Sequence, residues 1–290
     1  MNTKVNFNDI NKRIEELLEK FDSNKVSYSK RCSYQNKHSE MLLNEEDLYL
    51  LFLETIFHSP ESAQAFYNYL PWEKLKKATE SDIRKICSTF FEKSKVKIGD
   101  HRRNFCCMPT QSKIEHIKEI LCSYKSIIGK YGSQRNFFEI DGKPEFDQLY
   151  NKMKEIKHFD TRLPRFDHLE KLCRANKFYC TPKRFYVEDD KSGPRDGLTF
   201  LIMGERYRKN KQVKEYLLSV DFSRNWNANV ISKYSIAHGE SIKSVLQTLE
   251  QWTIENVKKN LKKNQQGNPA FIFDLETNLC NWQKRKKSFV

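Results

Sequence analysis

Residues Thr110–Tyr131 read TQSKIEHIKEILCSYKSIIGKY. Within them Ile114, Ile117, Ile120, Leu121, Tyr124, Ile127 and Ile128 recur at spacings of three and four, which places them on one stripe of an amphipathic helix. Gly129 and Gly132 mark its end. The same period governs the flanking sequence. Toward the N-terminus, Asn44-Glu45-Glu46-Asp47 is an acidic helix start, and LYLLFLETIFHS after it is dense enough in apolar residues for a buried helix. Ser59-Pro60-Glu61 sets proline in the first turn of the next helix. Pro71-Trp72-Glu73 restarts the chain into WEKLKKATESDIRKICSTFF. Toward the C-terminus, DQLYNKMKEI, RFDHLEKLCRANKF, SIKSVLQTLEQWTIENVKKNLKK and AFIFDLETNLCNWQKRKK are further helical segments. One stretch breaks the pattern: FYCTPKRFYVEDDKSGPRDGLTFLI holds Pro182, Gly193, Pro194 and Gly197 and reads as a loop-rich insertion. The expected fold is all-α, with residues 1–43 as an N-terminal helix and linker and residues 44–290 as the main domain.

Composition agrees. The chain has 290 residues with only 9 glycines and 8 prolines, too few turn formers for a β-rich protein. With 31% charged and 13% aromatic residues it is neither disordered nor fibrous. It shows no apolar run of membrane-spanning length and no apolar leader, so a soluble cytoplasmic protein is expected. The formal charge of +14 points to a polyanion partner, because lysine and arginine gain free energy by releasing counterions condensed on phosphates. Aromatics inside basic runs, as in LIMGERYRKNKQVKEY with Tyr207, suit base stacking beside phosphate neutralisation. Eight cysteines include no C-x-x-C pair, so neither a metal nor another cofactor is expected.

The order of helices resembles the helix–hairpin–helix DNA glycosylases. In that family a short turn between two helices offers backbone N–H groups to a DNA phosphate while the target base is flipped into the enzyme. Here the turn is Ile156-Lys157-His158-Phe159-Asp160-Thr161-Arg162, with His158 and Asp160 where the family has glycines. Aspartate tolerates positive φ better than most residues. Three further motifs cover the last 135 or so residues: F-D-x-L-E (Phe166, Asp167, Leu169, Glu170), G-P-x-x-G (Gly193, Pro194, Gly197) and L-E-x-x-L-C (Leu275, Glu276, Leu279, Cys280). In this order they resemble the α-glutamyl/putrescinyl thymine pyrophosphorylase group and the related anti-phage glycosylases that act on glucosylated hydroxymethylcytosine.

The resemblance implies duplex DNA carrying modified bases as the partner of a monomeric enzyme. It places Lys157, His158, Thr161, Arg162 and Arg165 on the phosphate side, with Arg208 and Lys209 in a second basic cluster. The glycosylases carry a catalytic aspartate beyond the hairpin, but the corresponding stretch here is Cys180-Thr181-Pro182. The acid is therefore expected among Asp189, Asp190 and Asp196 in the loop, or at Asp167 on the helix after the hairpin. A fixed carboxylate there would stabilise an oxocarbenium-like transition state. Arg162 stands where bifunctional members carry a Schiff-base lysine, which favours a monofunctional enzyme. The leading expectation is thus a DNA glycosylase excising a bulky modified pyrimidine from phage DNA. The alternatives are a transferase that hypermodifies a hydroxymethylated pyrimidine and an inactive DNA-binding module of the same fold.

Overall fold

The computed structural model of the chain describes residues 7–23, 43–100, 105–189, 193–204, 206 and 241–285. They divide into two units: residues 1–28 with 182–290, and residues 29–181. Helix α1 (Phe7–Ser23) opens the first unit. The second unit holds α2 (Glu45–Phe57), α3 (Pro60–Tyr69), α4 (Trp72–Lys77) and α5 (Glu80–Lys93), then a hairpin of β1 (Ile98–Asp100) and β2 (Phe105–Cys107). It continues with α6 (Gln111–Tyr131), α7 (Gln134–Phe138), α8 (Phe146–Lys152) with a 3-10 turn over Met153–Glu155, and α9 (Arg162–Ala175). The first unit resumes with a 3-10 turn over Val187–Asp189, α10 (Gly193–Met203), α11 (Ile242–Asn260), α12 (Lys263–Gln266) and α13 (Phe271–Arg285). The all-α expectation is met apart from the small antiparallel hairpin. No helix among the described residues is long and apolar enough to cross a membrane.

Side chains fix where the helices begin. Asn44 accepts from Asp47 N at 2.9 Å while the Asp47 carboxylate accepts from Asn44 N at 3.1 Å, a reciprocal capping box at the start of α2. Thr79 and Asp82 repeat it at α5, and Thr110 caps α6. Apolar stripes then face one core in the second unit. Phe52 of α2 stacks on Tyr124 of α6 with centroids 3.7 Å apart, and its other neighbours are Phe159 at 5.6 Å and the His168 ring of α9 at 5.4 Å. The Tyr124 hydroxyl donates to Gln134, whose amide donates to the Glu45 carbonyl at 2.6 Å. This chain satisfies a fully buried polar side chain in the same core. At the end of α9 the buried Cys173 and Cys180 are unbonded thiols with sulfurs 3.4 Å apart.

His168 is fully buried in that core. The Thr55 hydroxyl donates to Leu51 O at 3.0 Å, so His168 Nδ1–H must donate to Thr55 Oγ1, also at 3.0 Å. That leaves a neutral ring, and burial, with Lys171 adding to it, pushes the imidazole pKa down to about 3. In the unfolded chain the ring protonates near 6.5. The contribution of His168 is therefore complete above about pH 6.5 and is lost as pH falls toward 3. Chemical denaturation at several pH values is expected to show the difference between the parent and His168→Leu changing by about 1.4 kcal/mol per pH unit across that window. A pH-independent difference would mean that the ring is not held neutral.

The first unit corrects one expectation about local structure. The N-terminal helix groups with residues 182–290. Arg13 of α1 donates from Nε to Leu201 O at 2.6 Å and from Nη2 to Ile202 O at 3.0 Å, satisfying carbonyls at the end of α10. The Gly/Pro segment, expected as loop, is the first turns of α10 from Gly193 onward. Proline suits an early helical position, and Gly197 is there for contact rather than for a turn. A Cβ on Gly197 would lie 2.4 Å from the carbonyl oxygen of Leu279 in α13. The G-P-x-x-G and L-E-x-x-L-C motifs thus meet at one close helix crossing. Gly197→Ala is expected to force the two helices apart and to cost about 1–3 kcal/mol in urea unfolding.

Candidate functional site

In the second unit the expected hairpin is a turn between the 3-10 turn ending at Glu155 and helix α9. It closes through Phe159 N donating to Ile156 O at 3.0 Å. The positive φ that the family assigns to glycine falls on His158, at 66°, and not on Asp160. Histidine is among the residues that adopt this region most readily. Contacts from α6 hold it there: His158 Nε2 lies 2.6 Å from Glu119 Oε2, and its ring packs 4.4 Å from His116. Lys157 donates from its backbone to Ser123 Oγ at 2.9 Å and from Nζ to Glu119 Oε1 at 2.7 Å. Bonds from Lys157 and then His158 hold the Glu119 carboxyl down at about 2. Lys157 and Thr161 are exposed and His158 is half-buried. Thr161 is the N-cap of α9 and makes no side-chain capping bond.

Arg162 and Arg165, expected on the phosphate side, are instead buried, each 1% exposed. Arg165 donates to Thr161 O at 3.0 Å, Tyr150 O at 3.2 Å and Asp160 O at 3.3 Å, and stacks 3.9 Å over the Tyr150 ring. A tight turn leaves carbonyls pointing inward, and a fork-shaped cation is the donor that reaches several at once. Arg162 lies 5.0 Å over the Phe166 ring. Arg165 builds the hairpin, and both arginines are buried. Asp167 is half-buried on α9.

In the first unit the acidic segment is built on a carboxylate that sequence reading passed over. Glu250 of α11 is 1% exposed. Its oxygens accept from the backbone N–H groups of Phe185, of Tyr186 at 2.9 Å and of Val187 at 3.2 Å. Arg184 Nη2 lies 3.3 Å away and also pairs with Glu188, which in turn accepts from Gln247 at 2.9 Å. Tyr186 sits at φ 55° in the middle of this clamp. Burial raises the Glu250 pKa to about 7, against the lowering by Arg184 and the backbone donors. The clamp holds the turn that carries Asp189, half-buried with Lys243 Nζ at 3.7 Å.

Three of the expected acids have described settings, each different from the others. Asp189 is on the clamped turn, Asp167 on α9 of the other unit, and Asp196, 1% exposed, inside α10 where it was expected in a loop. Asp190 lies outside the described residues, as do Arg208, Lys209 and Tyr207. Glu250 had a legible signal: it sits on the apolar stripe of α11 with Leu246, Leu249, Thr253 and Val257, where an unpartnered carboxylate would be costly. Glu119 had none, being one of two acids on an amphipathic helix.

Residues 24–289 match the family described as ADDT, amino acid:DNA transferase. No curated protein and no solved structure matches the chain. The match overturns the leading expectation of a hydrolytic DNA N-glycosylase: the named chemistry is group transfer to DNA, the alternative weighed beside it. It is compatible with the pyrophosphorylase-like resemblance and keeps DNA as the partner. Since it spans nearly the whole chain, the protein belongs to the amino acid:DNA transferase family.

Proposed function

We propose that the protein joins an amino acid to a modified pyrimidine in duplex DNA. The family match over residues 24–289 carries this reading, and the +14 charge supports a DNA substrate. The pyrimidine bears an exocyclic methylene with a leaving group, a hydroxymethyl oxygen in pyrophosphorylated form. The amino group of the incoming amino acid attacks that carbon; the C–N bond forms as the C–O bond breaks and pyrophosphate departs. An amine at neutral pH is mostly protonated and must give up a proton before attack, which calls for a nearby base. Asp189, with Asp190 beside it, fills that role on the turn held by Glu250. Lys243 pairs with the α-carboxylate of the amino acid. Asp167 is the second choice of base. Lys157, His158 and Thr161 hold a DNA phosphate at the hairpin and the start of α9.

The test uses the full chain, DNA containing pyrophosphorylated hydroxymethylpyrimidines and an isotopically labelled amino acid mixture. After digestion to nucleosides, the modified nucleoside is expected to carry the amino acid in place of the pyrophosphate, a mass equal to the hydroxymethyl nucleoside plus one amino acid residue, without alkali-labile breaks. Alkali-labile sites with no mass gain would overturn the reading.

A further inference from the structure

The β1–β2 hairpin of the second unit has no part in the proposed chemistry, yet the fold fastens it with care. Gly99 packs so closely on the end of α2 that a Cβ there would lie 2.1 Å from the His58 carbonyl oxygen. His58 is itself the left-handed C-cap of α2, at φ 50°. Ser62 of α3 donates to the carbonyl of Lys97, immediately before β1. Two independent contacts therefore fix a short ribbon that makes only three residue pairings of its own. Two-stranded ribbons of this kind are marginal without such support.

The segment leading into β1 reads KSKVKIG, with no acid between Glu92 and Asp100. Lys93, Lys95 and Lys97 are exposed, the latter two alternating with half-buried Ser94 and Val96. None of the three ammonium groups has an ion-pair partner among the described residues. Some other cations of this unit are paired: Arg84 with Glu80 and Glu115, Lys118 with Glu115, and Lys157 with Glu119. Just past β2, Met108 is 54% exposed, one of two large apolar side chains so displayed among the described residues. Free cations in a row beside an exposed flexible apolar side chain match the surface of a nucleic acid, which is charged at the phosphates and apolar at sugar and base faces.

We propose that the lysine segment at the foot of this ribbon is a second DNA-binding element, apart from the hairpin before α9. Lys93, Lys95 and Lys97 neutralise backbone phosphates of duplex DNA, and Met108 packs against a sugar–base face of the same duplex. The assignment rests on the reading that DNA is the substrate. It adds which surface holds the duplex outside the reacting base, with no sequence preference from the lysines.

The test is titration of a fluorescent, unmodified duplex of about 20 base pairs at salt from about 50 to 200 mM. A triple Lys93/Lys95/Lys97 variant, made once with Ala and once with Gln, is compared with a triple Lys130/Lys143/Lys154 variant from exposed positions on separate elements. For the ribbon variants affinity is expected to drop at least about tenfold, and the log–log salt slope to become shallower by roughly 0.9 per lysine engaged. Met108→Ala is expected to weaken binding with the slope unchanged, since an apolar contact releases no counterions. A parent-like slope in the ribbon variants, or an equal loss in the comparison triple, overturns the proposal while DNA binding by the parent stands. A parent chain that does not bind the duplex at all overturns both this and the DNA-substrate reading.

Discussion

Glu250→Ala is expected to lower folding stability by about 3–5 kcal/mol, the cost of leaving several buried hydrogen-bond donors unsatisfied. The carboxylate receives three consecutive backbone N–H groups and faces Arg184. Alanine strands the three backbone donors, and each unsatisfied buried group alone costs about 1–3 kcal/mol. Glu250→Gln keeps one acceptor oxygen but sets an NH₂ group against a donor, so it should fall between parent and alanine. Urea unfolding of the three proteins checks this order. If the alanine variant stays within about 0.5 kcal/mol of the parent, the clamp does not hold the 184–189 turn. The carboxyl pKa of about 7, against 4.5 for the ordinary group, adds a direction. The folded state retains this proton longer than the unfolded chain does. The contribution of Glu250 to stability is therefore largest below about pH 4.5 and declines as pH rises through 7.

Asp189→Asn is expected to reduce amino acid transfer by about 10²–10⁴-fold, the usual worth of a positioned general base, with DNA affinity unchanged. The substitution removes charge without opening a cavity, and the side chain is only half-buried, so folding should be preserved. Asp190→Asn and Asp167→Asn are to be measured in the same single-turnover assay. Asp196→Asn should act differently: the residue is buried in α10, and its loss should show in unfolding more than in rate. Near-parent rates in all three of Asp189→Asn, Asp190→Asn and Asp167→Asn would remove the carboxylate base from the mechanism.

Helix positions were legible because each depends on neighbours within one or two turns. The apolar stripe of 110–131, the Asn44–Asp47 box and the Ser59-Pro60 start all act locally, and the structure has helices at each. Gly193-Pro194 misled for the same local reason. Glycine and proline usually mark loops, but at a helix start proline costs nothing and glycine admits a neighbouring backbone. Only the crossing of α10 on α13, 82 residues apart at Gly197 and Leu279, shows which case applies. The hairpin before α9 was legible as a turn, whereas its positive φ moved from Asp160 to His158 because Glu119 and His116 lie beside it.

By itself, then, the sequence determined the helical class, the likeness to DNA-modifying enzymes and the sign of the partner's charge, since periodicity, short motifs and net charge are properties of the chain as written. Tertiary structure alone decided which charges remain available. It buried Arg162, Arg165 and Asp196, left Lys93, Lys95 and Lys97 without an ion-pair partner among the described residues, and set Glu250 in a clamp. The physical reason is that the free energy of a charge depends on desolvation and on partners many residues away, and neither exists until the chain has folded.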